Sequence, residues 1–285
     1  MNELVKRALT GGLFVAVILS AFWLGTVATF FLFLMITWIG LDEYAKLFSD
    51  NQQVFLSPTL VKWGGVCLFV SLTLPYFLYA QHWIDIKNFK PGAILFTNTL
   101  IPYILVSILL PIELYRKKNT PIPNIGTTIL GWLYLAVPFS LVIQISFHEE
   151  GFFLLTGLFL IVWMNDTFAY LTGRVIGKTK LFERISPKKT WEGTIGGIFF
   201  SILTALIYAY FTEMSYLFFI LAAPIIATAS IFGDLFESLL KRSVGIKDSG
   251  TLLPGHGGIL DRFDAVIFAI PFFYVWWKIF TLILN

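Results

Sequence analysis

The chain has 285 residues, 57% of them hydrophobic, 18% aromatic and only 13% charged, with a formal net charge of +3 and a mean hydropathy of +0.81. A soluble domain carries about 25% charged residues, so this composition excludes a water-covered globule, a disordered chain and a disulfide scaffold, the last also because Cys67 is the only cysteine. The apolar runs are continuous rather than alternating, which excludes a β-barrel and leaves an all-α, polytopic integral membrane protein.

In chain order, the runs free of Asp, Glu, Lys and Arg are Ala8–Leu41, Trp63–Ile84, Pro91–Ile112, Asn119–Phe147, Gly151–Asn165, Gly193–Thr212, Met214–Gly233 and Ala265–Trp277. A spanning helix needs about 20 residues. The first run has 34. As one helix it would measure about 51 Å against a hydrocarbon core of about 30 Å, so it reads as two spans turning near Trp23–Gly25. Gly151–Asn165 continues through Asp166 to Leu171, and Lys278 can snorkel and extend the last run. About nine transmembrane helices result. Lys6 and Arg7 before an apolar stretch resemble a signal peptide, but the run continues past any plausible cleavage point, and retention is expected.

The distribution of positive charge fits this count. With the N-terminus in the cytoplasm and nine spans, 17 of the 20 Lys and Arg residues fall on the cytoplasmic side. Only Lys87, Lys90 and Lys278 fall outside, and the C-terminus is outside. Residues 1–150 then read as an N-terminal scaffold of about five spans. Residues 151–285 read as a C-terminal catalytic region of about four spans, with polar residues gathered in two cytoplasmic stretches, 165–193 and 234–264.

In the first stretch, Asp166 lies about two turns from the cytoplasmic end of its span. An ionisable group there is costly and marks a functional candidate facing the bundle interior; the bland alternative is a helix-end carboxylate paired with Arg174. Between Arg174 and Lys189 six cations face one acid, Glu183. Gly173 and Gly177 bracket Arg174, and Ser186-Pro187-Lys188-Lys189-Thr190-Trp191-Glu192-Gly193 leads into the next span. Glycines, hydroxyls and cations beside free backbone N–H groups suit an anion. A basic loop obeying the positive-inside rule and meeting anionic headgroups is the competing reading.

In the second stretch, Asp234, Glu237, Ser238 and Lys241 share one face if helix continues past Asp234. Asp261 and Asp264, at i and i+3, share a face at the start of the last span. Such hard-oxygen groups suit Mg²⁺, which commonly takes one or two carboxylates plus substrate phosphates. Between them, Pro254-Gly255-His256-Gly257-Gly258 can form an anion-binding nest of backbone N–H groups. Zinc is disfavoured, because His82, His148 and Cys67 lie in other segments.

The run Ser238-x-Leu240-Lys241-Arg242, then Lys247-Asp248-x-Gly250, then Pro254-x-His256-Gly257-Gly258-Ile259-x-Asp261-Arg262-x-Asp264 resembles the phosphatidate cytidylyltransferase (CDP-diacylglycerol synthase) signature. Asp166-x-x-Ala169-Tyr170 and Ser186-Pro187-Lys188-Lys189-Thr190-x-Glu192-Gly193 resemble the family's upstream elements. The match spans Asp166 to Asp264; residues 1–150 resemble the family only in hydropathy.

The resemblance implies the reaction CTP + phosphatidic acid → CDP-diacylglycerol + pyrophosphate. It implies Mg²⁺ on Asp234, Asp261 and Asp264, with a second, monovalent cation such as K⁺ as a further option. Asp234, Asp261 and Lys241 become the catalytic candidates. Asp166, Arg174, Ser186, Lys188, Lys189, Thr190, Glu192, Ser238, Arg242, Lys247, His256, Gly257, Gly258 and Arg262 become substrate-binding candidates, with His256 assigned to binding rather than proton transfer. The expected partners are CTP, phosphatidic acid, the lipid bilayer and a second copy in a homodimer, with no nucleic acid. The expected location is a bacterial-type inner or plasma membrane with the site on the cytoplasmic face. Two rival readings remain at this point. A transporter would carry polar residues near mid-bilayer in several spans. A CTP-dependent polyprenol kinase would release CDP rather than pyrophosphate.

Overall fold

A computed structural model describes residues 3–49, 51, 53–81, 96–246, 249–250 and 257–284. The helices are α1 (Glu3–Trp23), α2 (Thr26–Leu47), α3 (Pro58–Ala80), α4 (Thr97–Arg116), α5 (Pro121–Ser146), α6 (Gly151–Ile176), α7 (Trp191–Thr212), α8 (Tyr216–Ser243) and α9 (Leu260–Leu284). Among the described residues, α2 to α9 are each long and apolar enough to cross a membrane, and the apolar part of α1 is the shorter stretch Thr10–Trp23. The chain is an all-α polytopic membrane protein, and each expected apolar run corresponds to a helix.

Local chemistry sets the breaks. The first run divides at Gly25, whose φ of 93° lies where a side chain is disfavoured. Helix α3 starts at Ser57, whose hydroxyl accepts the Leu60 N–H, with Pro58 in the first turn. Within the helical run of α5, the turn Trp132–Ala136 is π rather than α, and a second π turn, Phe96–Leu100, opens α4. Each lies two residues before a proline, Pro102 or Pro138, which supplies no N–H to the helical ladder.

The chain divides into two compact units. The first is Met1–Gly151 with Asp248–Arg262, the second Phe152–Lys247 with Phe263–Asn285. In the first unit, Phe33, Tyr44, Phe69, Trp132 and Phe139 are buried. Two of its polar aromatics are satisfied by backbone: Tyr44 donates to the Thr127 carbonyl at 2.9 Å and Trp132 to the Val61 carbonyl at 2.9 Å. Buried Glu113 is held by Arg116 at 2.7 Å and by the Asn124 amide, while Arg116 also donates to the Phe55 carbonyl.

In the second unit, the Phe218 ring stacks or packs edge-on against Phe219, Phe273, Trp276 and Phe280. The basic stretch between α6 and α7 is an antiparallel hairpin, β1 (Lys180–Phe182) and β2 (Ser186–Thr190), with Lys180 opposite Thr190 and Phe182 opposite Ser186. The sequence did not anticipate it, because a hairpin of five or fewer residues per strand is specified by its ends. The Glu192 carboxylate accepts the N–H groups of Lys178 and Thr179 at 3.1 Å, Trp191 donates to the Thr179 carbonyl, and the Lys180 ammonium caps the Pro187 carbonyl at 2.7 Å.

Candidate active site

In the second unit, α8 remains helical past Gly233 to Ser243. Asp234, Glu237, Ser238 and Lys241 therefore lie on one face. Ser238 donates to Asp234 at 3.3 Å, and Lys241 pairs with Glu237, which is wholly buried. Gly233 explains why this face meets α9. A Cβ there would sit 2.5 Å from the Asp264 carbonyl oxygen and 2.7 Å from the Phe268 Cβ. Only glycine lets the two backbones approach where Asp234 and Asp264 follow.

The first polar stretch reaches the same place. The Lys189 ammonium, near the end of β2, lies 2.6 Å from the Asp234 carboxylate, both side chains being about a quarter to a third exposed. On α6, buried Asn165 donates to Ser230 at 3.1 Å and to Asp166 at 3.5 Å. Asp166 and Asp264 each lie within charge–charge range of Asp234, and Asp264 also of Glu237. Among the described residues no ion pair joins Asp166 to Arg174, so the bland helix-end pairing is absent. Lys188, Arg174 and Arg242 are exposed, Arg242 donating to the Ile246 carbonyl. Ser186 is half-buried at the start of β2.

Two expected binders have local structural work. Thr190 is buried, caps α7 by accepting the Gly193 N–H, and fills the space left by Gly173 and Gly177. Glu192 closes the hairpin, as described above.

In the first unit, the segment before α9 is held by two carboxylates. Asp261 accepts the N–H groups of Ser249 at 3.0 Å and Gly258 at 2.8 Å. Glu43, on α2 and only 6% exposed, accepts those of Ile259 at 3.0 Å and Leu260 at 2.9 Å. Gly257 has a φ of +79°, and a Cβ on it would lie 2.5 Å from Asp261 Oδ2. A Cβ on Gly258 would lie 2.5 Å from Glu43 Oε2. Arg262 is exposed on the first turn of α9. Lys247 and His256 lie outside the described residues.

Asp166, Lys189, Asp234, Ser238, Lys241 and Asp264 thus gather in one unit, and Asp261, Gly257 and Gly258 in the other. Glu43 was missed, and its only signal in the sequence is its place as the second of two acids, Asp42 and Glu43, that follow an apolar run. Among the described residues no three His, Cys, Asp or Glu side chains stand ready to hold one ion. The carboxylate oxygens of Asp234, Asp264 and Asp166 are nonetheless hard donors, and Mg²⁺ needs only one or two of them beside phosphate oxygens. The Lys189 ammonium already marks a position of positive charge on Asp234.

The chain was compared with known proteins. The model of the cytidylyltransferase family matches residues 5–280. A phosphatidate cytidylyltransferase of Haemophilus influenzae is 34% identical over 238 residues, 81% of this chain and 70% of the relative. Proteins of the same name from Staphylococcus aureus and Staphylococcus epidermidis are each 34% identical, over 82% and 87% of this chain and 84% and 88% of their own lengths. Hydropathy, the polar face of α8 and a match from near the first residue to near the last agree: this chain is an enzyme of the cytidylyltransferase family.

Proposed function

We propose that the protein transfers the cytidylyl group of CTP to phosphatidic acid, giving CDP-diacylglycerol and pyrophosphate for phospholipid synthesis. The observation that carries the reading is the Lys189–Asp234 contact, which joins the basic hairpin to the acidic face of α8. Polyanion-neutralising and cation-holding groups meet there, as the reaction of two phosphate substrates requires. The names of the relatives, phosphatidate cytidylyltransferase in each case, support the same substrates.

The lipid phosphate oxygen attacks the α-phosphorus of CTP as the bond to the β-phosphate oxygen breaks, and pyrophosphate leaves in line. A phosphate monoester is already largely ionised at neutral pH, so no strong general base is needed. The chain's task is alignment and neutralisation. Lys188 and Lys189 on the hairpin, with Arg174 nearby in sequence, would bind the triphosphate. Lys241, oriented by Glu237, would offset charge along α8. Asp234 and Asp264, and in the other unit Asp261, would each be a ligand for Mg²⁺, which when bound offsets charge on the reacting phosphates. The N–H groups of Gly258, Ile259 and Leu260 are taken by the Asp261 and Glu43 carboxylates, so this turn would act by placing Asp261 rather than by donating to a phosphate.

The test is direct. Detergent-purified protein, CTP labelled in the α-phosphate, phosphatidic acid and Mg²⁺ are incubated and the products separated. Labelled CDP-diacylglycerol with pyrophosphate is expected. Release of CDP with phosphorylation of a polyprenol acceptor would replace the reading by a kinase.

The cytoplasmic placement of both polar stretches is part of this proposal, because CTP is supplied there, and the one-sided distribution of Lys and Arg supports it. Cys67 is exposed on α3 and is removed first as Cys67→Ser. Of two single cysteines, Lys117→Cys and Glu150→Cys, only the second is expected to react with a polar maleimide in intact cells. Labelling at position 117 would invert the topology.

A further inference from the structure

Glu43 belongs to the half of the chain that carries no signature residue. Its neighbour Asp42 takes the available cations, Lys46 at 2.7 Å and Lys62 at 2.9 Å. Among the described residues no cation pairs with Glu43. A buried carboxylate without a counter-ion must be compensated by hydrogen bonds, and both of its oxygens receive one, from Ile259 and Leu260. Those N–H groups stand at the start of α9, where a helix has no acceptor of its own. The fit is close on every side: a Cβ on Gly250 would lie 2.7 Å from Glu43 Oε1, and one on Gly258 would meet both Glu43 and Ser249 Oγ.

The next residue after this pair of donors is Asp261. Its carboxylate takes the N–H groups of Gly258 and Ser249. The peptide units from Gly258 to Leu260 are therefore fixed between two carboxylates, one fastened to α2 and the other the candidate ligand itself. A shift of Glu43 moves residues 258–260, and with them the backbone that sets where Asp261 stands.

We propose that Glu43 is a positioning residue for cytidylyl transfer, holding the glycine turn and the first residues of α9 so that Asp261 is presented in its working pose. The inference rests on the functional reading of Asp261 given above. Groups that orient a ligand residue from behind typically cost ten- to a hundredfold when altered.

The test uses full-length protein in detergent. Glu43→Gln keeps the shape but turns an NH₂ group toward one of the two N–H donors. Expected are a ten- to hundredfold fall in kcat, a smaller change in KM for CTP, a modestly lower melting temperature because one buried N–H loses its acceptor, and faster hydrogen exchange at the amides of residues 258–260. Mg²⁺ binding measured by calorimetry without turnover is expected to weaken as well. Gly258→Ala presses on the same carboxylate from the other side and is expected to reproduce the kcat loss and the faster exchange at 259 and 260, so it decides the matter should Glu43→Gln fail to fold. A folded variant with wild-type kcat and wild-type exchange overturns the proposal. Wild-type protein that makes no CDP-diacylglycerol overturns the functional reading instead, and leaves the exchange result to decide whether Glu43 holds the turn.

Discussion

Replacing Asp261 by Asn is expected to lower turnover about a thousandfold or more. The variant keeps size and removes the charge that would hold a divalent cation against two polyanions. A cation clamp contributes several kcal/mol to a phosphoryl transition state, and each ~1.4 kcal/mol is tenfold in rate. The two backbone N–H groups held by Asp261, from Ser249 and Gly258, converge on one oxygen, Oδ2, and the carbonyl oxygen of an amide has two lone pairs with which to keep both. Asp261→Asn therefore removes charge and keeps the turn, whereas Glu43→Gln loosens the turn and keeps the charge of Asp261. The difference between the two variants isolates the charge. A folded Asp261→Asn protein, monodisperse by size exclusion, that keeps more than a tenth of wild-type turnover at saturating Mg²⁺ would remove Asp261 from the ion site.

The second large effect is expected at Asp234. Asp234→Asn should fall by a comparable factor, about a thousandfold on the same scale. If one ion serves both, as the proposed function has it, the double variant Asp234→Asn/Asp261→Asn should be little worse than either single one, because residues acting through one ion are not additive. Effects that multiply would mean two independent roles. Lys189 supplies the control. Its contact with Asp234 is partly exposed and contributes only about 0–1 kcal/mol to stability, so Lys189→Ala is expected to fold normally. It should lose about tenfold in kcat/KM for CTP, with phosphatidic acid dependence less affected. The equivalent loss at Lys188, which is exposed and makes no ion pair among the described residues, should be smaller. Equal weakening toward both substrates would return the hairpin to the role of a general basic surface.

The spans were legible because a bilayer demands long apolar runs and because Gly25 and the charged ends interrupt them plainly. The polar face of α8 was legible for the same reason: 3.6-residue periodicity carries through Gly233 without a breaker, so Asp234, Glu237, Ser238 and Lys241 could only align. The hairpin was not. Its residues are mostly cationic, its strands lack an apolar alternation, and its closure depends on Glu192 reaching back to the amides of Lys178 and Thr179. Thr190 likewise read as an anion-binding hydroxyl because a cap and a ligand group have the same chemistry; only packing against Gly173 and Gly177 distinguishes them. Glu43 was the least legible. Nothing near it in sequence states that its partners are amides, and backbone N–H groups leave no mark on residue identity.

The bond between Glu43 and the start of α9 joins residues 216 and 217 positions apart. Ribosomes add about 5–20 residues per second, so Glu43 enters the bilayer roughly ten to forty seconds before the amides of Ile259 and Leu260 exist. During that interval its carboxylate must be served by interfacial water, which is available only if the end of α2 has not yet closed over. Biogenesis of this protein is thus obliged to keep one end of an early helix hydrated until α9 has been made, and α9 is the helix that dries it.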